Sequence, residues 1–177
     1  MSFGPRLPST GAVILLIAGI VLLLLTDSEG PGGAGEQSSD ARGERTGALV
    51  TRVIDGDTAE MELDNGGEEG VRFIGVDTPE SVAPGQPVEC FGTKASRFTA
   101  RLIEGERVEL RFGAERRDRY DRLLAYVHVD DRFVNADLVR LGYARTLEIA
   151  PNVDFAERFA ALQQEAANAS RGLWAVC

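Results

Sequence analysis

A ten-residue segment in the first half of this chain organises the sequence around it: Val71-Arg72-Phe73-Ile74-Gly75-Val76-Asp77-Thr78-Pro79-Glu80. Its first half is an apolar β-type run that contains one arginine, Arg72. Pro79 biases Thr78 towards an extended conformation and cannot continue a central strand, so the run must end there. We therefore expect Asp77 and Glu80 to lie on a loop at the end of a strand.

A second acidic cluster lies upstream, at a junction between two further β-type runs. It reads Val53-Ile54-Asp55-Gly56-Asp57-Thr58. Carboxylates two residues apart in an extended chain point to one side, so Asp55 and Asp57 can converge. Oxygen ligands without nitrogen or sulfur suit a hard cation, and a mixture of carboxylate, carbonyl and water suits Ca²⁺. Each acidic motif alone is more typical of ordinary turns, but the two together, with an arginine between them, favour a site.

Two arginines are the candidate anion-binding groups. Arg72 lies in an otherwise apolar strand, and Arg122 opens the apolar run 123–129. A guanidinium is a planar fork that matches two phosphate oxygens and stays charged at any working pH. The neighbouring arginines 116, 117 and 119 fit a solvated, charge-balanced loop better than a set of substrate contacts.

The remaining pattern predicts an α+β fold. The predicted strands are 49–54, 58–63, 71–76, 108–112 and 123–129, and the predicted helices are 91–103, 135–141 and 154–169. Five short strands with intervening and trailing helices predict a five-stranded OB-fold β-barrel with about three helices.

The N-terminal region differs from the rest of the chain. Residues 1–26 carry Arg6 followed by an uncharged, largely apolar stretch, which is typical of a signal peptide or signal anchor. No Ala-x-Ala cleavage site follows, so an uncleaved anchor is favoured over a cleaved peptide, with the rest of the chain outside the cytoplasm. Residues 27–46 are rich in Gly and Ser and predict a flexible linker, and residues 47–177 predict the folded domain.

The composition narrows the chemistry. The net charge of −9 argues against a broad basic surface for nucleic acid, although it does not exclude local positive charge at one site. Two Cys and one His are too few for a structural zinc site. A catalytic triad would need His128, which lies in an apolar strand and is better explained as a solvent-facing strand residue. The chemistry must therefore rest on carboxylates and arginines.

Together these segments resemble the staphylococcal-type nucleases, or thermonucleases. The matching segments are residues 53–58, 72–80, 91–98, 118–126 and 134–144. The resemblance spans nearly all of residues 48–174, in the same order and spacing. It implies an OB-fold barrel with three helices, and a monomer that hydrolyses phosphodiester bonds of DNA and RNA, with single strands preferred, leaving 3′-phosphate ends.

The resemblance also implies a cation site. Asp57 and Asp77 become carboxylate ligands of Ca²⁺, with the Thr78 carbonyl as a further ligand. Asp55 lies beside this set and is expected to support it without binding the ion.

For the reaction, the resemblance implies that Glu80 is the general base that orients or deprotonates the attacking water. Arg72 and Arg122 become the phosphate clamps, and Tyr120 contacts the terminal phosphate of a bound nucleotide. Two positions depart from the family: Asp121 stands where Gly is frequent, and the segment Leu147-Glu148 lacks a tyrosine that stacks on the nucleotide. These departures bear on substrate binding and base preference.

The two cysteines allow one disulfide. If the domain lies outside the cytosol, a bridge between Cys90 and Cys177 is expected, and the alternative is two free thiols.

Two other functions compete with an active nuclease. A non-catalytic OB-fold module that binds nucleic acid would be expected to carry aromatic stacking platforms, whereas this chain is 7% aromatic. A degenerate copy would also have lost a carboxylate or an arginine of the set, and none is missing. The third alternative is a membrane-tethered interaction domain without a nucleic-acid role.

Overall fold

The computed structural model describes residues 1, 4, 43–82, 85 and 87–177. The predicted N-terminal apolar segment and most of the predicted linker lie outside the described residues. Across the part that is described, no helix combines the length and apolarity needed to cross a bilayer.

Eight strands and four helices follow one another from residue 45 onward. The strands are β1 (Arg45–Asp55), β2 (Thr58–Leu63), β3 (Glu68–Phe73), β4 (Val76–Asp77), β5 (Arg107–Arg117), β6 (Leu123–Val129), β7 (Arg132–Phe133) and β8 (Arg145–Thr146). The helices are α1 (Gly92–Ile103), α2 (Val134–Arg140), α3 (Ala156–Asn168) and α4 (Leu173–Val176).

Five of the strands close into a barrel in the order β3-β2-β1-β5-β6. Four of the pairings are antiparallel, and a parallel pairing between β3 and β6 closes the barrel. The short strand β7 extends the sheet beside β6, and β4 pairs with β8 in a separate two-stranded ladder. The predicted α+β OB-fold barrel with three main helices is confirmed, and α4 is an additional single turn.

The barrel interior is filled by alternate residues of its strands. Fully buried members include Val50, Met61, Val71, Phe73, Leu110, Phe112 and Val127. Burying one side chain of this kind contributes about 1.5–3 kcal/mol. Tyr126 lies on the outer face of β6, where Phe155 and Phe159 pack against it with ring centroids 4.8 and 6.5 Å away, so the start of α3 covers this face of the sheet.

Helix α1 lies against the acidic turn. Its buried residues Ala95, Thr99 and Ile103 recur at i, i+4 and i+8, which makes one apolar face. The Thr99 hydroxyl donates a hydrogen bond of 2.6 Å to the carbonyl of Gly56. The turn between β1 and β2 is therefore attached to a helix that belongs to the core.

The predicted strand 71–76 is divided in two. β3 ends at Phe73, and Gly75 adopts a φ of 80°, a left-handed conformation that favours glycine. A Cβ at Gly75 would lie 2.6 Å from the Phe159 ring, so no larger residue fits there. The chain turns at this point, and Asp77 is placed by the β4–β8 ladder, opposite Arg145.

Candidate active site

Asp57 is the buried carboxylate around which the site is built. It lies in the turn between β1 and β2 and is 6% exposed. Its Oδ2 accepts hydrogen bonds from the backbone N–H of Thr78 at 2.8 Å and from the Thr78 hydroxyl at 3.0 Å. Its Oδ1 accepts one from the Thr58 hydroxyl at 3.1 Å. The two acidic segments of the sequence are thus joined directly.

Arg72 connects the predicted carboxylate ligands. Its Nη2 lies 3.3 Å from Asp57 Oδ2 and 3.3 Å from Asp77 Oδ1. Its Nη1 donates to the carbonyl oxygens of Phe73 at 2.9 Å and Val76 at 2.7 Å. These four contacts fix the guanidinium plane, and they bring carboxylates from two different elements to one nitrogen.

Asp77 carries the exposed carboxylate of this pair, with 55% of its side chain accessible. Even so, partial burial raises the pKa of Asp77, the Arg72 guanidinium lowers it, and the charges of Asp57 and Glu89 raise it again. A cation placed beside Asp57 and Asp77 would relieve this repulsion.

The oxygen donors of Asp57 and Asp77 suit a hard cation. Among residues 43–82, 85 and 87–177, no three His, Cys, Asp or Glu side chains converge as ligands of one ion. A cation here would take the carboxylates of Asp57 and Asp77 and complete its coordination with a backbone carbonyl, for which Thr78 is the predicted donor, and with water. Ca²⁺ accepts such a mixed oxygen set.

Asp55 supports the loop that follows β4. It is 7% exposed, and its Oδ1 accepts hydrogen bonds from the Ser81 hydroxyl at 2.6 Å and the Gly56 N–H at 2.8 Å. Burial raises the pKa of Asp55 to about 6; the bonds from Ser81 and Gly56 oppose the shift, and Glu80 and Asp57 add to it. Asp55 therefore links the acidic turn to the segment that carries Glu80.

Glu80 lies at the start of that loop, and its carboxylate is oriented by backbone groups. Its Oε1 accepts hydrogen bonds from the N–H of Ser81 at 3.0 Å and of Val82 at 2.8 Å. Its own N–H donates to Glu89 Oε2 at 3.1 Å. The predicted base is therefore held at its backbone and at its carboxylate.

Arg122 is positioned by an ion pair at the entrance to β6. Its Nε donates to Asp118 Oδ2 at 2.8 Å, and its Nη2 lies 2.6 Å from the same oxygen. Burial alone would raise the pKa of Asp118, but the hydrogen bonds and charge of Arg122, with a further bond from the Tyr120 N–H, hold it below its usual value. The parallel pairing of β3 and β6 places Arg72 opposite Leu124, so Arg122 lies two residues from Arg72 across the ladder.

A cavity of about 440 Å³ lies beside these two arginines. Arg72, Tyr120 and Arg122 all border it, together with the exposed apolar residues Leu147 and Ile149. The structure thus brings three of the predicted residues to one cavity. Asp57, Asp77 and Glu80 are not among its lining residues, and Arg72 is the member common to the cavity and the carboxylates.

Arg119 is a cavity residue that sequence reasoning assigned to a solvated loop. Its Nη2 donates to the Tyr120 hydroxyl at 2.7 Å, and its guanidinium lies 4.7 Å from the centre of that ring. The Arg122 guanidinium lies 5.3 Å from the same ring. The adjacency of Arg119 to Tyr120 in the sequence was the signal that could have identified it.

Asp121 occupies the position where the family often has glycine. Its φ of 66° is left-handed, a conformation that Asp tolerates better than most residues. Its side chain is 87% exposed and its Oδ1 lies 3.6 Å from Arg117 Nε. Asp121 does not line the cavity, and its carboxylate lies on the side of Arg117.

The two cysteines form one disulfide. Cys90 and Cys177 are bridged, with their Cα atoms 5.9 Å apart, and neither thiol is free. The bridge joins the segment just before α1 to the last residue after α4.

The chain is similar in sequence to a known family. The family model described as "Staphylococcal nuclease homologue" matches residues 70–176. The chain is 42% identical over 166 residues to the thermonuclease of Staphylococcus intermedius, covering 94% of this chain and 96% of that protein. It is 37% identical over 168 residues to the thermonuclease of Staphylococcus hyicus, covering 94% and 96%.

A third relative comes from another genus. The chain is 35% identical over 143 residues to endonuclease YncB of Bacillus subtilis, covering 80% of this chain and 67% of that protein. The chain belongs to the staphylococcal nuclease family, and the resemblance predicted from its sequence motifs is confirmed.

Proposed function

We propose that this protein is a calcium-dependent endonuclease that hydrolyses phosphodiester bonds in DNA and RNA. Its relatives include proteins named thermonuclease and endonuclease. The observation that carries the proposal is the placement of Arg72, which borders the cavity with Tyr120 and Arg122 and also contacts Asp57 and Asp77. A single guanidinium thereby joins a nucleotide-sized cavity to the carboxylate pair proposed to hold the cation.

The substrate phosphate is bound by the two arginines. Arg72 and Arg122 present guanidinium groups to non-bridging oxygens of the scissile diester and stabilise the charge that builds on them. The cavity volume of about 440 Å³ lies in the range of small-molecule sites and suits one nucleotide. Tyr120, 64% exposed, offers its hydroxyl to a further phosphate.

The base of that nucleotide would meet aliphatic side chains. Leu147 and Ile149 border the cavity and are 37% and 58% exposed. They offer apolar contact without the stacking that an aromatic ring provides, so we expect little discrimination among bases. A single strand reaches such a cavity more easily than a duplex, because its bases are already unpaired.

Asp57, Asp77 and the Thr78 carbonyl are the groups that would hold the cation. Bound there, Ca²⁺ would supply positive charge at the phosphate and favour ionisation of a nearby water. The protein's own contribution is to fix the carboxylate of Asp57 through Thr78, so that the pair is arranged before a cation binds.

Glu80 is the proposed base. It accepts a proton from the attacking water while the water oxygen bonds to phosphorus. The 5′ oxygen leaves with the electron pair of the broken bond and takes a proton from solvent to become a hydroxyl. The phosphate then stays on the 3′ side of the cut, which gives 3′-phosphate ends. The N–H groups of Ser81 and Val82 hold the Glu80 carboxylate in one orientation.

The proposed site of action is outside the cytoplasm. The apolar segment within residues 1–26 supports export or membrane attachment. The Cys90–Cys177 bridge supports an oxidising compartment, where disulfides persist.

The test is cleavage of a labelled single-stranded DNA oligonucleotide by the purified full-length protein. We expect cutting with Ca²⁺, none with a chelator, and products that a polymerase extends only after phosphatase treatment. The variant Glu80→Gln keeps the size of the side chain and should lose about 10²–10⁴-fold in turnover, because it cannot accept the proton.

Three outcomes would contradict the proposal. Cutting that persists in chelator would exclude the cation site, and normal turnover by Glu80→Gln would exclude the base. Tight binding of the oligonucleotide by the wild type without any cutting would favour the non-catalytic binding module.

A further inference from the structure

Glu80 and Glu89 are joined by two reciprocal hydrogen bonds. The Glu80 N–H donates to Glu89 Oε2 at 3.1 Å, and the Glu89 N–H donates to the Glu80 carbonyl at 2.9 Å. The side chain and the N–H of Glu89 therefore hold the N–H and the carbonyl of Glu80. The position of Glu89 determines where the backbone of Glu80 lies.

The residues after Glu89 press against the same carbonyl. Gly92 begins α1, and a Cβ on it would lie 2.4 Å from the Glu80 carbonyl oxygen. Phe91, between them, has a φ of 74°, which is unusual for an aromatic residue. The segment 89–92 thus packs closely against Glu80, so a restraint on the position of this segment also restrains the backbone of Glu80.

The disulfide attaches that segment to the C-terminal helix. Cys90 follows Glu89 directly and is bonded to Cys177, the residue after α4. Helix α4 is itself fixed to the domain, because Leu173 is buried and its N–H donates to the Gly142 carbonyl at 2.8 Å. The bridge therefore fastens the Glu80 loop to a well-anchored element.

Helix α4 also leads back to the carboxylate ligands. The Arg145 guanidinium lies 4.8 Å from the Trp174 ring centre, and Arg145 is the register partner of Asp77 in the β4–β8 ladder. Asp77 and Glu80 are three residues apart in sequence, and one continuous set of contacts connects them. It runs from Asp77 through Arg145 and Trp174 to the disulfide, and from there through Glu89 to Glu80.

We propose that the Cys90–Cys177 disulfide positions Glu80, acting through Glu89. This inference rests on the proposed function, since it assigns the bridge to the placement of the proposed base. Without the bridge, segment 89–92 loses its covalent attachment on the outer side, and Glu80 spends less time in the productive geometry. Misplacement of a catalytic group by about 1 Å can cost about 10²-fold in rate.

Loss of the disulfide should affect turnover and substrate binding differently. Among the described residues, Tyr120 and Arg122 make no hydrogen bond or ion pair with Glu89 or Cys90. Arg72 reaches this set of contacts through Asp77, but its guanidinium is also held by the carbonyls of Phe73 and Val76, which do not depend on the bridge. Loss of the bridge should therefore lower kcat and leave KM close to the wild-type value.

The first experiment compares the full-length wild type with Cys90→Ser/Cys177→Ser at saturating Ca²⁺. Thiol titration of the unreduced wild type should find no free thiol. The double variant should show a kcat lower by about 10- to 100-fold with an unchanged KM. The temperature is chosen so that near-ultraviolet circular dichroism shows both proteins fully folded.

The second experiment changes Glu89 and keeps the bridge. Glu89→Gln and Glu89→Ala both remove the charge, but only Gln retains an oxygen that accepts the Glu80 N–H. We expect Glu89→Ala to reproduce the loss in kcat and Glu89→Gln to restore most of it. Adding Glu89→Ala to the double-serine variant should cause little further loss, because both changes remove the same restraint.

Each alternative outcome overturns the inference. Two free thiols in the wild type, or a folded double-serine variant with normal kcat, would remove the bridge from the mechanism. Equal losses from Gln and Ala would assign the effect of Glu89 to its charge, and additive losses would separate Glu89 from the bridge. A wild type that does not cut nucleic acid at all would refute the proposed function instead, so the two failures are distinguishable.

Discussion

Asp57 combines burial with a full complement of nearby donors. Its two oxygens accept three hydrogen bonds from Thr58 and Thr78 and contact one arginine nitrogen. A buried carboxylate without such partners would cost several kcal/mol. The site thus maintains an anionic oxygen at the edge of the core through backbone and hydroxyl donors, which leaves Asp77 as the accessible half of the pair.

Asp55 gives a prediction about pH. The pKa of Asp55 is raised to about 6 in the folded protein from a usual value of 3.8, mainly by burial. The folded state therefore binds this proton more tightly than the unfolded state, and the associated stability is present at low pH and lost as the pH rises through about 6. Asp55→Asn, which keeps an oxygen acceptor for Ser81, should unfold at higher urea concentration than the wild type at about pH 8 in chelator.

The control for this prediction is the same comparison at low pH. At about pH 4 the wild-type carboxyl is already mostly protonated in the folded state, so the two proteins should be similar in stability. Asp55→Asn that is less stable than the wild type at the higher pH would contradict the assigned cause.

At Asp121 the effect expected from the sequence differs from the environment seen in the structure. From the sequence alone, Asp121 was expected to weaken phosphate binding because it precedes Arg122. In the structure the left-handed backbone accommodates Asp, and the carboxylate faces Arg117 at 3.6 Å. The direction of a side chain in a turn depends on φ and ψ, and no local pattern in the sequence determined them here.

Among the secondary-structure elements, α1 has the most direct connection to the acidic turn. Its Thr99 hydroxyl donates to the Gly56 carbonyl. Thr99→Val keeps the shape and leaves that buried carbonyl without its donor, so we expect the free energy of unfolding to fall by about 1–3 kcal/mol. We also expect weaker Ca²⁺ binding by calorimetry, because the turn that carries Asp57 is less firmly held.

The matched control lies on the same helix. Thr93 is exposed, so Thr93→Val makes the same chemical change away from the turn. A Ca²⁺ affinity that falls equally in both variants would indicate a general effect on α1 and would contradict the specific role of the Thr99 bond.

The elements also show how far the sequence predicts the fold. β2 and β6 occupy the predicted residues 58–63 and 123–129, because apolar runs with clear turns on either side define both ends. β1 and β5 extend beyond their predicted ends, to Arg45 and Arg117. The outermost residues of these extensions are arginines in ion pairs, Arg45 with Glu109 and Arg117 with Glu69, and the residues beside them are mostly small or polar, so the extensions carry little apolar alternation.

The candidate site, like the fold, was predicted only in part from the sequence. Motifs identified the residue types and their order, including Asp57, Asp77 and Arg72. They could not predict β4 and β8, because two-residue strands have no periodicity to detect. The bridge of Arg72 between two carboxylates and the reciprocal bonds of Glu80 and Glu89 join groups that only the folded chain brings together.

At the scale of the whole molecule, the acidic composition and the cationic cavity coexist. The chain carries a net charge of −9. Many of its arginines pair with carboxylates, as Arg52 does with Glu60 on the neighbouring strand at 2.7 Å. Three arginines (Arg72, Arg119 and Arg122) line the cavity together with the acidic residues Glu115 and Asp118, so the proposed phosphate site does not require a basic surface over the whole molecule.

The disulfide should contribute strongly to global stability. It joins residues separated by 87 positions, and closing a loop of that size stabilises a fold by about 4–5 kcal/mol on the chain-entropy model. We expect Cys90→Ser/Cys177→Ser to lower the free energy of unfolding by that order in chemical denaturation. A double variant as stable as the oxidised wild type would show that the bridge adds nothing to the fold.

The same bridge alters the response of the chain to a protease. Residues 90–177 form a covalent ring, and a single cut within it, for example at the turn after Val129, leaves one connected molecule. A cut just before Cys90, near the exposed Val88, divides the molecule in two. The nicked forms should therefore differ in apparent mass on a non-reducing gel according to the side of Cys90 on which the cut falls.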